Sequence, residues 1–148
     1  MAYELLIRTG RIKPYKARPS EIQQLLKVAD RDLAAAARNL AEDTDWAYSM
    51  AYNAVLQASR AVILNDGYRP RGGEQHATVV EYIHERLGPS FAKEVSLFDQ
   101  MRRKRHRVIY EVSGLVSKQE AEQAVEFAKD FVRKLKVEIT RQQGLEFK

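Results

Sequence analysis

From residue 20 onward, apolar side chains recur at spacings of three and four, the period of helices that lay one face on a core. The first run, Ile22, Leu25, Leu26, Ala29, Leu33, Ala36 and Leu40, leaves Lys27, Asp30, Arg31 and Arg38 mainly on the wet side. It predicts an amphipathic helix of about 20 residues, opened by Ser20 after Pro19 with Gln23 three positions on, the spacing of a capping pair. The acidic turn Glu42-Asp-Thr-Asp45 leads into a second helix, Trp46 to Asn65. Here alanines 47, 51, 54, 58 and 61 form one stripe, with Tyr48, Tyr52, Val55 and Val62 beside it. Small residues at that repeat allow close helix approach. The flanking aromatics, Trp46 included, read as buried area rather than as a base-stacking platform. Gly67 ends that helix. A third, Glu74 to Leu87, buries Val79, Val80, Ile83 and Leu87 and stops at Gly88-Pro89. A fourth starts between Ser90 and Ser96 and ends near Gly114, with the seam Phe98, Met101, Val108 and Val112. The fifth opens on the capping spacing Ser117-Lys-Gln-Glu120 and buries Ala121, Ala124, Val125, Ala128, Phe131, Val132, Leu135 and Ile139 before Gly144.

No segment shows convincing alternation, so the expected fold class is all-α, an antiparallel up-and-down helical bundle of four to five helices. One domain over residues 1–148 is expected, since neither a repeat nor a linker breaks the chain. Residues 1–19, with Pro14 and Pro19, read as an irregular basic N-terminal arm that packs one or two hydrophobes on the body or touches phosphate. Tyr68-Arg-Pro-Arg-Gly-Gly73 reads as a loop, and no Gly-Lys-Ser or Gly-x-Gly-x-x-Gly pattern follows its glycines.

Composition narrows the chemistry. At 148 residues one core is enough. No apolar run is long enough to span a bilayer, and the start Met-Ala-Tyr-Glu-Leu-Leu-Ile-Arg meets charge too soon for a secretory leader, so a cytoplasmic protein without membrane partners is expected. With no cysteine there is no disulfide framework, thiol nucleophile or thiolate metal site, and His76, His84 and His106 have no zinc spacing. Neither cofactor nor metal is expected. The net charge of +5 and pI near 9.5 are compatible with a polyanionic partner.

The charge is not spread evenly. Five of the six residues from Arg102 to Arg107 are basic and the sixth is His106. Arg102, Arg103, Lys104 and Arg107 spread around the helix, but Arg105 falls in the middle of the apolar seam, where a hydrophobe belongs. A guanidinium stays charged and is costly to leave unpaired in a dry core. Arg105 therefore lines a wet cleft, binds an anion or meets a carboxylate. His76, in a first helical turn, reads as structural, and His84 as solvated.

Three stretches, Ala29-Asp-Arg-Asp-Leu33, Trp46-Ala-Tyr-Ser-Met-Ala-Tyr-Asn-Ala54 running into Asp66-Gly-Tyr-Arg-Pro70 and His76, and Arg102-Arg-Lys-Arg-His-Arg-Val-Ile-Tyr-Glu111, give the chain its resemblance to the HEPN superfamily of small helical bundles. The family signature is Arg, a polar residue, three or more residues and His on a late helix, paired with its copy in a dimer to cut RNA without metal. Arg105 and His106 match the first two positions. Tyr110 stands where the histidine belongs, and with an ordinary pKa of about 10 tyrosine is a poor base near pH 7.

The resemblance implies an RNA-directed protein of the toxin or RNA-processing kind, a metal-independent endoribonuclease or a degenerate relative of one. Arg105 would then neutralise the scissile phosphate, His106 or Tyr110 would act as base or acid, and Arg102, Arg103, Lys104 and Arg107 would hold flanking phosphates. The alternative it implies is a non-catalytic module that binds RNA or a nucleotide, or docks a nucleotidyltransferase, with Tyr110 a stacking or anchoring residue or the target of nucleotide transfer. Implied partners are RNA or a nucleotide, a second copy in a homodimer, and a nucleotidyltransferase or antitoxin.

Overall fold

A computed structural model describes residues 3–110 and 114–143. Five long helices form the bundle: α2 (Pro19–Asn39), α3 (Thr44–Asn65), α4 (Gln75–Leu87), α5 (Ala92–Tyr110) and α6 (Lys118–Gln143). They follow a short α1 (Glu4–Arg8). A single 3-10 turn, Pro89–Phe91, joins α4 to α5. The all-α expectation holds, and its five long helices are the five that the apolar spacing marks.

The middle of the bundle is α3. Alanines 47, 51, 54, 58 and 61 are fully buried, so α2 and α6 both approach it closely, and α4 and α5 complete the ring. Because residues 40–43 alone connect α2 to α3 while the two helices pack along their length, they run antiparallel. Asp43 caps α3, its carboxylate accepting from the Trp46 N–H at 3.2 Å. The carboxylate of Asp45 accepts from the backbone N–H groups of Gly114 and Val116, which fastens the start of α3 to the chain beyond α5. A second lock joins α3, α4 and α6. Arg86 donates to Asp66 at 2.9 Å and to Glu138 at 3.0 Å, and Tyr82 donates its hydroxyl proton to Asp66 at 2.7 Å.

The N-terminal segment departs from the expected irregular arm. It contains α1 and a strand β1 (Ile12–Pro14), which pairs antiparallel with β2 (Tyr68–Pro70) in the register Ile12 to Pro70 and Pro14 to Tyr68. Leu6 and Ile12 are buried against the body. Strands of three residues carrying Pro14 and Pro70 have neither the length nor the alternation that marks a strand in sequence.

Two capping details also differ. Pro19, with its fixed φ, takes the first helical position of α2, so the cap lies upstream of Ser20: the Arg18 N–H donates to the Glu21 carboxylate at 2.7 Å. At the start of α6 the hydroxyl of Ser117 accepts from the Glu120 N–H at 3.1 Å, as the spacing predicts, but the Glu120 side chain turns away to Lys104 at 2.6 Å. Trp46, expected in the core, is 49% exposed because it occupies the first turn of α3, ahead of the helices that cover the rest. Of the α5 seam, Phe98, Met101 and Val108 are buried, and Val112 lies outside the described residues, as does Gly144.

Candidate nucleic-acid interface

The second half of α5 and the first turn of α4 face one another across a cleft of about 700 Å³. Glu74, His76 and Ala77 line one side, and Arg102, Arg103, Arg105, His106, Arg107 and Tyr110 line the other. The turn into α4 is unusual: Glu74, its N-cap, has φ +53°, the left-handed region that a side chain with a Cβ adopts at a cost. That turn follows Gly72 and Gly73 and carries the chain over the cleft so that His76 enters it.

Tyr52 of α3 supports the cleft from the core. Its ring is fully buried, the Arg105 guanidinium lies over it at 5.7 Å from the centroid, and its hydroxyl oxygen is 3.0 Å from Nδ1 of His76. Three helices thus converge through one tyrosine. Nε of Arg105 is buried without a hydrogen-bond partner, and among the described residues Arg105 meets no carboxylate. Of the three environments open to Arg105 in the sequence, the structure removes the carboxylate among the described residues and sets Arg105 in the cleft wall.

The neighbouring cations divide by partner. Arg102 and Arg103 share Asp99, the first at 3.0 Å. Burial works against ionisation of Asp99, but the hydrogen bonds and charges of the two arginines more than offset it and hold the carboxyl below its usual range. Lys104 points elsewhere, pairing with Glu120 of α6 at 2.6 Å and lying 6.0 Å from the Tyr48 ring centroid, so it does not line the cleft. Arg107 is exposed with no ion pair among the described residues. Arg60, on α3, is half-buried and likewise has no ion pair there, and burial lowers its pKa.

This cationic surround acts on the two groups between the helices. Burial, then the charges of Arg60, Arg105 and Arg102, push the pKa of His76 below the ordinary histidine value, so its imidazole is neutral at pH 7. Burial pushes the Tyr52 phenol up to about 12, against the pull of the same three arginines, so it keeps its proton. His106 and Tyr110 sit differently. Both are exposed, Tyr110 at 67%, and their rings lie 5.0 Å apart one helical turn from each other.

A family model for the HEPN domain matches residues 22–138, most of the chain. The chain belongs to the HEPN domain family. No curated protein gives a significant match. In this HEPN domain Arg105, His106 and Tyr110, the three residues singled out by the resemblance in sequence, all line the cleft. Sequence reasoning read His76 as structural and Tyr52 as buried area and did not single out Arg60, whereas the structure sets His76 in the cleft wall, on Tyr52 and within reach of the Arg60 charge. The paired glycines before Glu74 were the available signal for His76. None of the helices of the described residues is long and apolar enough to cross a membrane.

Proposed function

We propose that the cleft binds the phosphodiester backbone of RNA and cleaves it by internal transesterification without a metal ion. The observation that carries this reading is Arg105, a half-buried guanidinium on the cleft wall with Nε unpartnered and no carboxylate to neutralise it. A bound phosphate supplies the missing charge and acceptor, and in the transition state the same guanidinium stabilises the charge gathering on the non-bridging oxygens. Arg102, Arg103 and Arg107 line the same wall and hold the flanking phosphates, while the exposed His106 and Tyr110 rings at the rim offer a surface for a base. Lys104, tied to Glu120, takes no part. A homodimer that sets two such clefts side by side belongs to the same proposal, as does a paired antitoxin. The test is incubation of the purified protein with single-stranded RNA in the presence of a chelator: cleavage that Arg105→Ala removes supports the reading, and cleavage that survives Arg105→Ala sinks it.

A second reading is favoured by the exposure of Tyr110, whose hydroxyl is open to an incoming group. In it the cleft binds RNA or a nucleotide without cutting, and Tyr110 accepts a nucleotidyl group from a nucleotidyltransferase partner. RNA binding without cleavage, together with a mass increase on Tyr110 when such an enzyme and nucleotide are added, would favour this reading over the first.

A further inference from the structure

The structure assigns the general base of the RNA-cleaving site to His76, held in place by Tyr52, rather than to the exposed histidine beside Arg105. This assignment rests on the RNA-cleaving reading of the cleft and gives it the imidazole that Tyr110 fails to provide.

Four observations carry it. His76 lines the same cleft as Arg105 although it comes from a different helix. Its Nδ1 is engaged by the Tyr52 hydroxyl at 3.0 Å, and among the described residues no hydrogen bond occupies Nε2, which leaves that nitrogen for a substrate. Tyr52 is also the ring beneath the Arg105 guanidinium, so one buried side chain sets base and phosphate ligand relative to each other. Finally, burial first and then the surrounding charges keep His76 neutral: Arg60 from α3, and Arg105 and Arg102 from α5, oppose imidazolium, and Glu74 at the N-cap of α4 and Asp99 on α5 are the acids nearby. His106 lacks such a mount. It is exposed, with its ring 5.0 Å from that of Tyr110.

The reaction follows from this placement. With Nδ1–H donating to the Tyr52 oxygen, Nε2 accepts the proton of the ribose 2′-hydroxyl. The 2′ oxygen attacks phosphorus, the P–O2′ bond forms as the P–O5′ bond breaks, and the 5′ oxygen takes a proton from water at the cleft mouth. The products are a 2′,3′-cyclic phosphate and a 5′-hydroxyl, and the imidazolium then returns its proton to solvent. No electrons change hands. Imidazolium among three arginines is unfavourable in the empty cleft, but the phosphate bound at Arg105 offsets part of that charge, so the base gains proton affinity when substrate is present. Tyr52 is a positioning residue here, since it touches the base and not the substrate.

The deciding experiment follows cleavage of a mixed-sequence single-stranded RNA by the purified full chain, with chelator present and an all-2′-deoxy version as the uncleavable control. His76→Gln, whose amide can still meet Tyr52, is expected to lower kcat by about 100-fold or more while RNA affinity stays within about two-fold of wild type. The acid limb of the wild-type kcat/KM profile disappears in this variant, and His84→Ala, on the outer part of α4, cuts at the wild-type rate. If His76→Gln retains rate and acid limb while His106→Ala loses them, the assignment is overturned and RNA cleavage stands. If wild type cuts no RNA, the cleavage reading falls and the assignment with it. Should His76→Gln fail to fold, the wild-type His76 ring decides by NMR titration: its pKa rises when the 2′-deoxy oligonucleotide fills the cleft, and no movement overturns the assignment.

Discussion

The hydroxyl oxygen of Tyr52 lies 3.0 Å from Nδ1 of His76, joining the middle of α3 to the first turn of α4. Tyr52→Phe keeps the buried ring and removes this one contact. A cost of about 1 kcal/mol in denaturant unfolding is expected, the ordinary net worth of such a bond. RNA binding should survive, because the ring still lies under Arg105. Cleavage should fall with kcat rather than KM, since the base loses its fixed orientation. Unchanged kcat would separate Tyr52 from the chemistry.

His76 makes stability depend on pH. In the unfolded chain it takes a proton near its ordinary value of about 6.5; in the folded chain burial and three arginines hold it neutral to lower pH. Between those values the unfolded state binds more protons, so stability present above pH 6.5 is lost as pH falls toward the folded value. Thermal melts in phosphate-free buffer from pH 7.5 downward should show the decline, and His76→Gln should flatten it. A wild-type midpoint that is no more acid-sensitive than the variant's would contradict the burial of a neutral imidazole.

The long helices and Arg105 were legible for the same reason: a helix with one buried face writes its period into the sequence, and a charge on that face stands out. The site around Arg105 was less so. His76 reaches the cleft only because Glu74 turns through the left-handed region, and Tyr52 looks like any aromatic on an alanine stripe until α4 and α5 are packed over it. Lys104 was indistinguishable from Arg102 and Arg103 along the chain, yet Glu120 draws it to α6. The β1–β2 pair was invisible because three residues with a proline in each strand leave no alternating signal.

Arg105 offers a separation of function from stability. It has no carboxylate partner in the described residues and an unpaired buried Nε, so Arg105→Met relieves a desolvated polar group while keeping most of the side-chain volume. The unfolding free energy should change by less than about 1 kcal/mol or rise. RNA affinity should drop by roughly 10-fold or more, and the slope of log K against log salt should shrink by about 1. Fluorescence titrations at several salt concentrations, beside melts of the same samples, check both halves. A large loss of stability would mean that the guanidinium is structural.

Arg86 is the opposite case. Its side chain is 14% exposed and meets Asp66, 6% exposed, and Glu138, 14% exposed. Arg86→Met leaves the Asp66 carboxylate with the Tyr82 hydroxyl but no cation, and Glu138 with Arg141 alone, and removing one partner of a buried pair costs about 3–5 kcal/mol. Adding Asp66→Asn and Glu138→Gln should recover part of that loss, because the stranded charge is the main penalty. Urea unfolding of the single and triple variants measures this, and a triple variant less stable than the single one would show that packing of the arginine, rather than charge, holds the network.

The N-terminal segment is tied to the same helix that carries His76. Arg11, next to β1, donates to the Thr78 hydroxyl at 3.0 Å and to Glu81 at 2.7 Å, both on α4, while Ile12 is 1% exposed in the pairing with β2. Ile12→Ala opens a cavity under this pairing and should cost about 2–5 kcal/mol. Its effect should not be uniform. Amide hydrogen exchange should quicken in β2 and the first turns of α4, whereas the far end of the α2–α3 pair, next to the turn at residues 40–43, keeps its protection. Because His76 rides on the loosened turn, cleavage should weaken before the bundle unfolds, at denaturant concentrations where α3 is still protected. Uniform exchange across all five long helices would show instead that the segment only adds to global stability and leaves the cleft alone.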